Sequence, residues 1–167
     1  KLIKNINKDG YGGIEYLFSV PALVGGSVFM NAGRGRKHNL AISDYIEEVY
    51  TYNYVLNEKK IYKKNECDFS YRSSRFKNEN VIILGVTFKF DAFPKEELDS
   101  RRKERISLIK KGQDSSGYSF GSVFKKNNRY IMQLVKLFSI GCKDGVSFSS
   151  KTFNWIIHKG DGTFKQA

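Results

Sequence analysis

Ser19-Val20-Pro21-Ala22-Leu23-Val24-Gly25-Gly26-Ser27-Val28-Phe29-Met30-Asn31-Ala32-Gly33 is the stretch on which the reading of this chain turns. It lies in a longer Gly-rich segment, residues 12 to 35, that also holds Gly12, Gly13 and Gly35. The segment is too apolar for a flexible linker and too rich in glycine for one regular helix. Short helical turns joined by tight bends satisfy both limits, with main chain coming close to something. Gly25 and Gly26 put no side chain in the way of such an approach, and their N–H groups can donate to phosphate or ring atoms. A Gly-Gly pair by itself is ordinarily a turn, so the flanking residues carry the weight.

Outward from this segment the pattern turns to β. Tyr50, Tyr52, Tyr54 and Leu56 alternate with Thr51, Asn53 and Val55; Asn57-Glu58 can turn the chain, and Ile61 with Tyr62 begins a return strand. Val81 to Phe90 is the clearest strand: Ile82, Leu84, Val86, Phe88 and Phe90 fall on one face at period two, which predicts a half-buried row. Pro94 suits the first position of a helix, with Glu96 and Glu97 near its positive end. That helix is predicted to run to about Lys111, where Lys110, Lys111 and Gly112 mark a C-terminus. Its thin apolar face (Leu98, Ile106, Ile109) suits a surface or bridging helix. The Ser- and Gly-rich stretch from Gly112 to Ser119 is the candidate boundary. Beyond it, Ser122 to Lys125 reads as a short strand, and Tyr130, Ile131, Leu134, Val135 and Phe138 as the face of an amphipathic helix. Phe153 to Ile157 reads as a strand and Gly160-Asp161-Gly162 as a turn.

Bulk properties narrow the class less. The 167 residues suffice for one ordinary domain or two small ones. The net charge of +12 attracts polyanions, but its basic residues are scattered in short clusters, so charge alone does not decide the partner. No apolar run approaches the roughly 18 residues of a membrane helix, and the start at Lys1-Leu2-Ile3-Lys4 shows no secretory signal, only a processed or truncated end. Cys67 and Cys142 are expected to be reduced thiols of a cytoplasmic protein. His38 and His158 have no neighbour at metal-ligand spacing, so no metal is expected.

The family enters through motifs. The run from Ser19 to Gly33 resembles the flavin-binding signature of the UDP-N-acetylenolpyruvoylglucosamine reductases. Phe69-Ser70-Tyr71-Arg72-Ser73-Ser74-Arg75-Phe76-Lys77 is similar to that family's Tyr-Arg-x-Ser-x-Phe motif, and Gly121-Ser122-Val123-Phe124-Lys125 to its serine motif. A weaker match runs from Ser149 to Ile157, where the family has Ser-Glu-Lys-His-Ala-Asn-Phe-Ile-Val; Ser149, Lys151 and Asn154 are kept, while Thr152 and Phe153 replace a histidine and a small residue.

The resemblance implies an α+β fold. Residues 1–111 would be the C-terminal part of a flavin-binding mixed-sheet domain with its linking helix, and 112–167 a small, C-terminally incomplete α+β substrate-binding domain. It implies FAD and NADPH as cofactors and a UDP-sugar enolpyruvyl ether as substrate, with neither nucleic acid nor membrane as partner and oligomeric state open. Pro21, Val24, Gly25, Gly26, Ser27, Met30, Asn31, Gly33 and Tyr71 would bind the cofactor. Ser122 would donate the proton, and Arg72 would neutralise charge developing on the reduced flavin. Lys110, Lys111, Lys125, Lys126 and Asn154 would meet the substrate. The family's upstream flavin cradle and downstream catalytic glutamate have no match here, so the chain alone is expected to bind flavin poorly and to be inactive. Two alternatives stay open: a diverged flavoprotein acting on another nucleotide sugar, and a basic nucleic-acid-binding module. The second is opposed by the strand pattern, which predicts that Phe88 and Phe90 sit in the core beside Ile82, Leu84 and Val86.

Overall fold

The computed structural model describes residues 1–33, 39–124, 128–138, 145–152, 154–158 and 160–163. His38, Lys125, Lys126, Cys142 and Phe153, all named above, lie outside them. The chain forms two compact units, Lys1–Ile106 and Ser107–Ala167. Each combines helices with antiparallel strands, and every pairing between the described strands is antiparallel, an α+β architecture.

The first unit opens with helix α1 (Leu2–Lys8) and strand β1 (Tyr11–Gly12). Buried Glu15 ties them together: its carboxylate accepts from Asn7 Nδ2 at 2.7 Å and from the Gly13 N–H at 3.0 Å. Gly13 turns at φ +120° with the Tyr45 ring where a Cβ would stand, so a side chain is doubly excluded. The Gly-rich segment then forms a short 3₁₀ turn (Glu15–Leu17) and helix α2 (Val24–Phe29), the expected turns and bends.

The sheet of this unit has the order β3-β2-β4, from β2 (Ile46–Asn53), β3 (Glu58–Lys63) and β4 (Val81–Phe88). The predicted hairpin is present, but its turn begins earlier than expected. Asn53 Oδ1 accepts from the N–H groups of Val55 and Leu56, and Asn57 adopts φ +57°, so Tyr54 to Asn57 form the loop. The buried side of β2 is Ile46, Val49 and Thr51, with the tyrosines only half-buried.

β4 departs from the predicted row for a definite reason. Thr51 pairs with Ile83 and Tyr50 with Gly85, which leaves Leu84 as an extra residue in a β-bulge. A one-residue slip exchanges the two faces of a strand. Before the bulge Val81 and Ile83 pack on the core; after it Val86, Phe88 and Phe90 do. Ile82 and Leu84, predicted on the half-buried row, are 52% and 57% exposed. Phe88 and Phe90 still turn inward, stacked on each other at 5.3 Å, with Phe90 against Tyr45 at 5.7 Å. The short strand β5 (Asp91–Ala92) closes back on β1.

Helix α3 (Lys95–Gly112) matches the predicted helix and buries only Leu98, as its thin apolar face requires. The division between the units falls within it.

In the second unit the strands β6 (Tyr118–Ser122), β7 (Val146–Phe148) and β8 (Trp155–His158) form a sheet of order β6-β8-β7. β6 ends at Ser122 rather than beginning there, and Phe153 lies outside the described part of the expected last strand. Helix α4 (Arg129–Leu137) is capped by Asn128, whose side chain accepts from the N–H groups of Tyr130 and Ile131. Its predicted apolar face is largely exposed at Tyr130, Ile131, Leu134 and Phe138, while Met132 is buried. Among the described residues, no helix is long and apolar enough to cross a membrane.

Candidate active site

In the first unit the glycine motif and the arginine motif, some forty residues apart in sequence, are sewn together by hydrogen bonds. The last carbonyls of a helix lack intrahelical partners and must find others. Here Ser74 Oγ donates to Phe29 O at 2.7 Å, and the Arg72 guanidinium donates to Gly33 O at 2.6 Å and Asn31 O at 3.4 Å. Asn31 returns the contact, donating from Nδ2 to Ser70 O at 3.0 Å while its Oδ1 accepts from Ser43 N.

Arg72 reaches these carbonyls because of its turn. Ser70 and Ser73 exchange two backbone hydrogen bonds, at 3.0 and 3.1 Å, leaving Tyr71 and Arg72 at the tip. Arg72 adopts φ +55°, a left-handed conformation that a side chain disfavours, and its guanidinium lies 5.2 Å from the Tyr71 ring centre. A non-glycine residue held in this region is the mark of a surrounding that over-determines it. Asn31, Tyr71 and Arg72 line a recess of about 360 Å³ with Ser43, Asp44 and Phe69.

α2 itself borders another recess of about 360 Å³, lined by Leu17, Val20, Leu23, Val24 and Ser27 among others. Pro21, Val24 and Met30 are exposed, and Leu23 is 85% exposed, a run of uncovered apolar side chains. Gly25 and Gly26 sit in the first turn of α2 without positive φ. A Cβ on Gly26 would meet nothing within 4 Å, and one on Gly25 only Ile83 at 3.9 Å. Neither glycine is needed by the fold, although each weakens a helix relative to alanine. Gly33 is different: a Cβ there would run into the Leu40 carbonyl, so its glycine is needed for the chain to pass itself.

In the second unit Ser122 stands on a strand irregularity. Ser119 pairs with Ile157 and Ser122 with Trp155, so β6 carries one residue more than β8 between these pairs. Gly121 takes up the excess at φ +74°, and its N–H bonds to Ser119 Oγ at 2.9 Å. The segment after Ser122 is gripped by Asn154. Its Nδ2 donates to Phe124 O at 2.7 Å, its Oδ1 accepts from Phe124 N at 2.8 Å, and its own carbonyl accepts from Val123 N at 2.9 Å. Both ends of the Asn154 amide are thus engaged in holding the serine segment. Lys110 and Lys111 lie exposed at the end of α3.

The sequence reading missed Asp114, the hub of this unit. Its carboxylate accepts from Ser149 Oγ at 2.7 Å, Ser150 Oγ at 3.3 Å and Ser116 N at 3.0 Å. Those bonds, from Ser116 and Ser149 foremost, hold its carboxyl well below the usual carboxylate range. Ser149, 1% exposed, also accepts from the N–H groups of Lys151 and Thr152, so Asp114 fixes the turn that leads into β8. The only sequence signal for it was an acid ahead of a serine pair. Among the described residues, no cluster of His, Cys, Asp and Glu could hold a metal ion.

Of the two α+β units, one has a glycine helix pinned by an arginine turn and the other a serine on a strand bulge, a distinct polar constellation in each part. No family model matches the sequence. It is, however, 32% identical over 160 residues to the UDP-N-acetylenolpyruvoylglucosamine reductase of Thermotoga sp., 92% of this chain and 51% of that protein. The reductase of the same name from Carboxydothermus hydrogenoformans is 34% identical over 157 residues, 92% of this chain and 50% of the relative. The crystal structure of the Thermus caldophilus reductase superposes with a TM-score of 0.82 at 27% identity, over 99% of this chain and 60% of that one. The chain belongs to the UDP-N-acetylenolpyruvoylglucosamine reductase family, and it spans about half the length of the curated relatives it matches.

Proposed function

We propose that this chain is the part of a flavin-dependent reductase that carries its arginine and its proton donor. The enzyme would reduce the enolpyruvyl ether of UDP-N-acetylglucosamine to UDP-N-acetylmuramate for peptidoglycan precursors, with FAD as cofactor and NADPH as electron source. The observation that carries this reading is the pair Gly25-Gly26. Two glycines stand in a helical turn where nothing in the protein occupies the space of a Cβ, beside exposed apolar side chains. That is the surface a flat, partly apolar ring with hydrogen-bonding edges would use, so the residues fit a flavin.

When bound, FAD would supply the hydride chemistry that reduces the substrate's vinyl group, with NADPH as the electron source. Pro21, Val24, Gly25, Gly26, Ser27, Met30, Asn31, Gly33 and Tyr71 would hold it, with residues 1–111 as its domain. Arg72 keeps the glycine segment in place through Gly33 and Asn31 and adds a fixed positive charge beside it. Ser122 Oγ–H gives the proton that completes the reduced substrate carbon, from the domain formed by residues 112–167. Lys110 and Lys111, with Lys125 and Lys126, meet the UDP diphosphate as point charges. Asn154 contributes by holding the Ser122–Phe124 segment. A nucleotide sugar and NADPH are cytoplasmic reactants, so cytoplasmic work is part of the proposal. The inward packing of Phe88 and Phe90 withdraws those two aromatics from the nucleic-acid alternative.

The test is a chimera in which this chain replaces the matching region of the Thermotoga reductase. It is expected to purify yellow with FAD and to oxidise NADPH only when the enolpyruvyl substrate is present. A colourless chimera would remove the flavin assignment. A yellow chimera that uses a different nucleotide sugar would favour the diverged flavoprotein.

A further inference from the structure

Ser122 and Trp155 are directly opposed across β6 and β8, so their side chains leave the sheet on the same face. The indole Nε1–H donates to Ser122 Oγ at 3.3 Å. Both residues are held from behind. Trp155 is fixed at its backbone by Trp155 N to Thr152 O at 3.1 Å and Ser149 N to Trp155 O at 2.8 Å. Ser122 is fixed by the Gly121 bulge before it and the Asn154 grip after it. Ser122 itself is exposed, so the rest of its hydroxyl faces outward from a rigid frame.

An indole N–H can only donate, whereas a serine hydroxyl has one proton and two lone pairs. We propose that Trp155 is a positioning residue that poises Ser122 as an acid: its N–H occupies one lone pair of Oγ, so the hydroxyl proton is turned away and available to a substrate. As Ser122 gives its proton to carbon, the oxygen gains negative charge and the bond from the indole strengthens. The inference rests on the reading of Ser122 as the proton donor.

Trp155 is the chain's single tryptophan, so one indole N–H resonance reports on the contact. In the ¹⁵N-labelled chain, Ser122→Ala is expected to move that resonance upfield in the proton dimension and speed its exchange with water. Ser122→Thr, which restores an Oγ, is expected to return both toward the parent. The acid-poising effect is read with Ser122→Cys, by alkylation at fixed neutral pH with the parent chain as background. One lost hydrogen bond to a thiolate raises its pKa by about 0.5–1 unit. Part of the fall in thiolate fraction is offset by a more nucleophilic sulfur, so adding Trp155→Phe should slow alkylation about 2- to 4-fold. An indole resonance unmoved by Ser122→Ala overturns the contact. A moved resonance with equal alkylation in both backgrounds overturns the poising role. Neither result depends on turnover, so both are separable from a failure of Ser122 as the proton donor, which shows as full activity of Ser122→Ala in the chimera.

Discussion

Gly26→Ala separates a requirement of the fold from a requirement of the ligand. An alanine Cβ at this position meets no heavy atom within 4 Å, and Gly26 has no positive φ. The substitution therefore adds no strain, and it reduces the conformational freedom of the unfolded chain. In a helix interior the exchange stabilises by about 1 kcal/mol; in the first turn of a six-residue helix about 0.5 kcal/mol is the better figure. For a chain of this length that is a rise of roughly 1–2 °C in the thermal midpoint. A ligand lying on this turn meets the same methyl group as an intruder, and overpacking of that kind costs about 1–3 kcal/mol. FAD affinity in the chimera should fall by about 5- to 150-fold. Calorimetry of the chain and flavin titration of the chimera measure the two effects. A less stable chain would refute the local structure. A chimera that binds FAD as tightly as its parent would refute the claim that Gly26 is a place of ligand approach.

Other perturbations test the surrounding frame. Ser74→Ala leaves the partly buried Phe29 carbonyl without its 2.7 Å donor and should cost about 1 kcal/mol in urea unfolding; no change in the midpoint would dismiss the seam between the two motifs. Arg72→Lys removes the fork that spans Gly33 and Asn31, so FAD affinity and turnover of the chimera should both fall even though the charge is kept, and parental values would reduce Arg72 to a point charge. Burial works to raise the Glu79 carboxyl, but hydrogen bonds from Arg75 and Tyr62 outweigh it and carry the group below its ordinary 4.5. A depressed folded value contributes stability that is complete above pH 4.5 and lost as the pH falls below it, so Glu79→Gln should flatten the acid limb of stability against pH. Burial pushes the Cys67 thiol up to about 11, so in the folded chain it should resist alkylation at neutral pH and react on unfolding.

Much of the framework is legible in the sequence because it depends on local chemistry. Pro94, the acidic first turn and the basic end announce α3, and the alternation around Tyr50 announces the hairpin. The glycine spacing foretells the short turns seen over the described residues 12 to 33. What escapes is decided by pairing between distant strands. The Leu84 bulge exists only in the register of β4 against β2, and it exposes two residues that period two assigns to the predicted half-buried face. The bulge at Gly121 depends likewise on where β8 falls beside β6. Among the candidate site residues, Gly25, Arg72 and Ser122 stand in motifs that can be read in order. Asp114 and Trp155 act through partners 35 and 33 residues away, and no local pattern marks such contacts.

The most direct measurement is the turnover of the chimera carrying Ser122→Ala, with bound flavin measured on the same sample. Loss of a general acid typically costs about 10²- to 10⁴-fold in rate. The expected result is a kcat reduced on that scale, with the yellow flavin retained at its parental stoichiometry. A kcat within twofold of the parent would remove Ser122 from the chemistry, and with it the assignment of residues 112–167 as the part that delivers the proton.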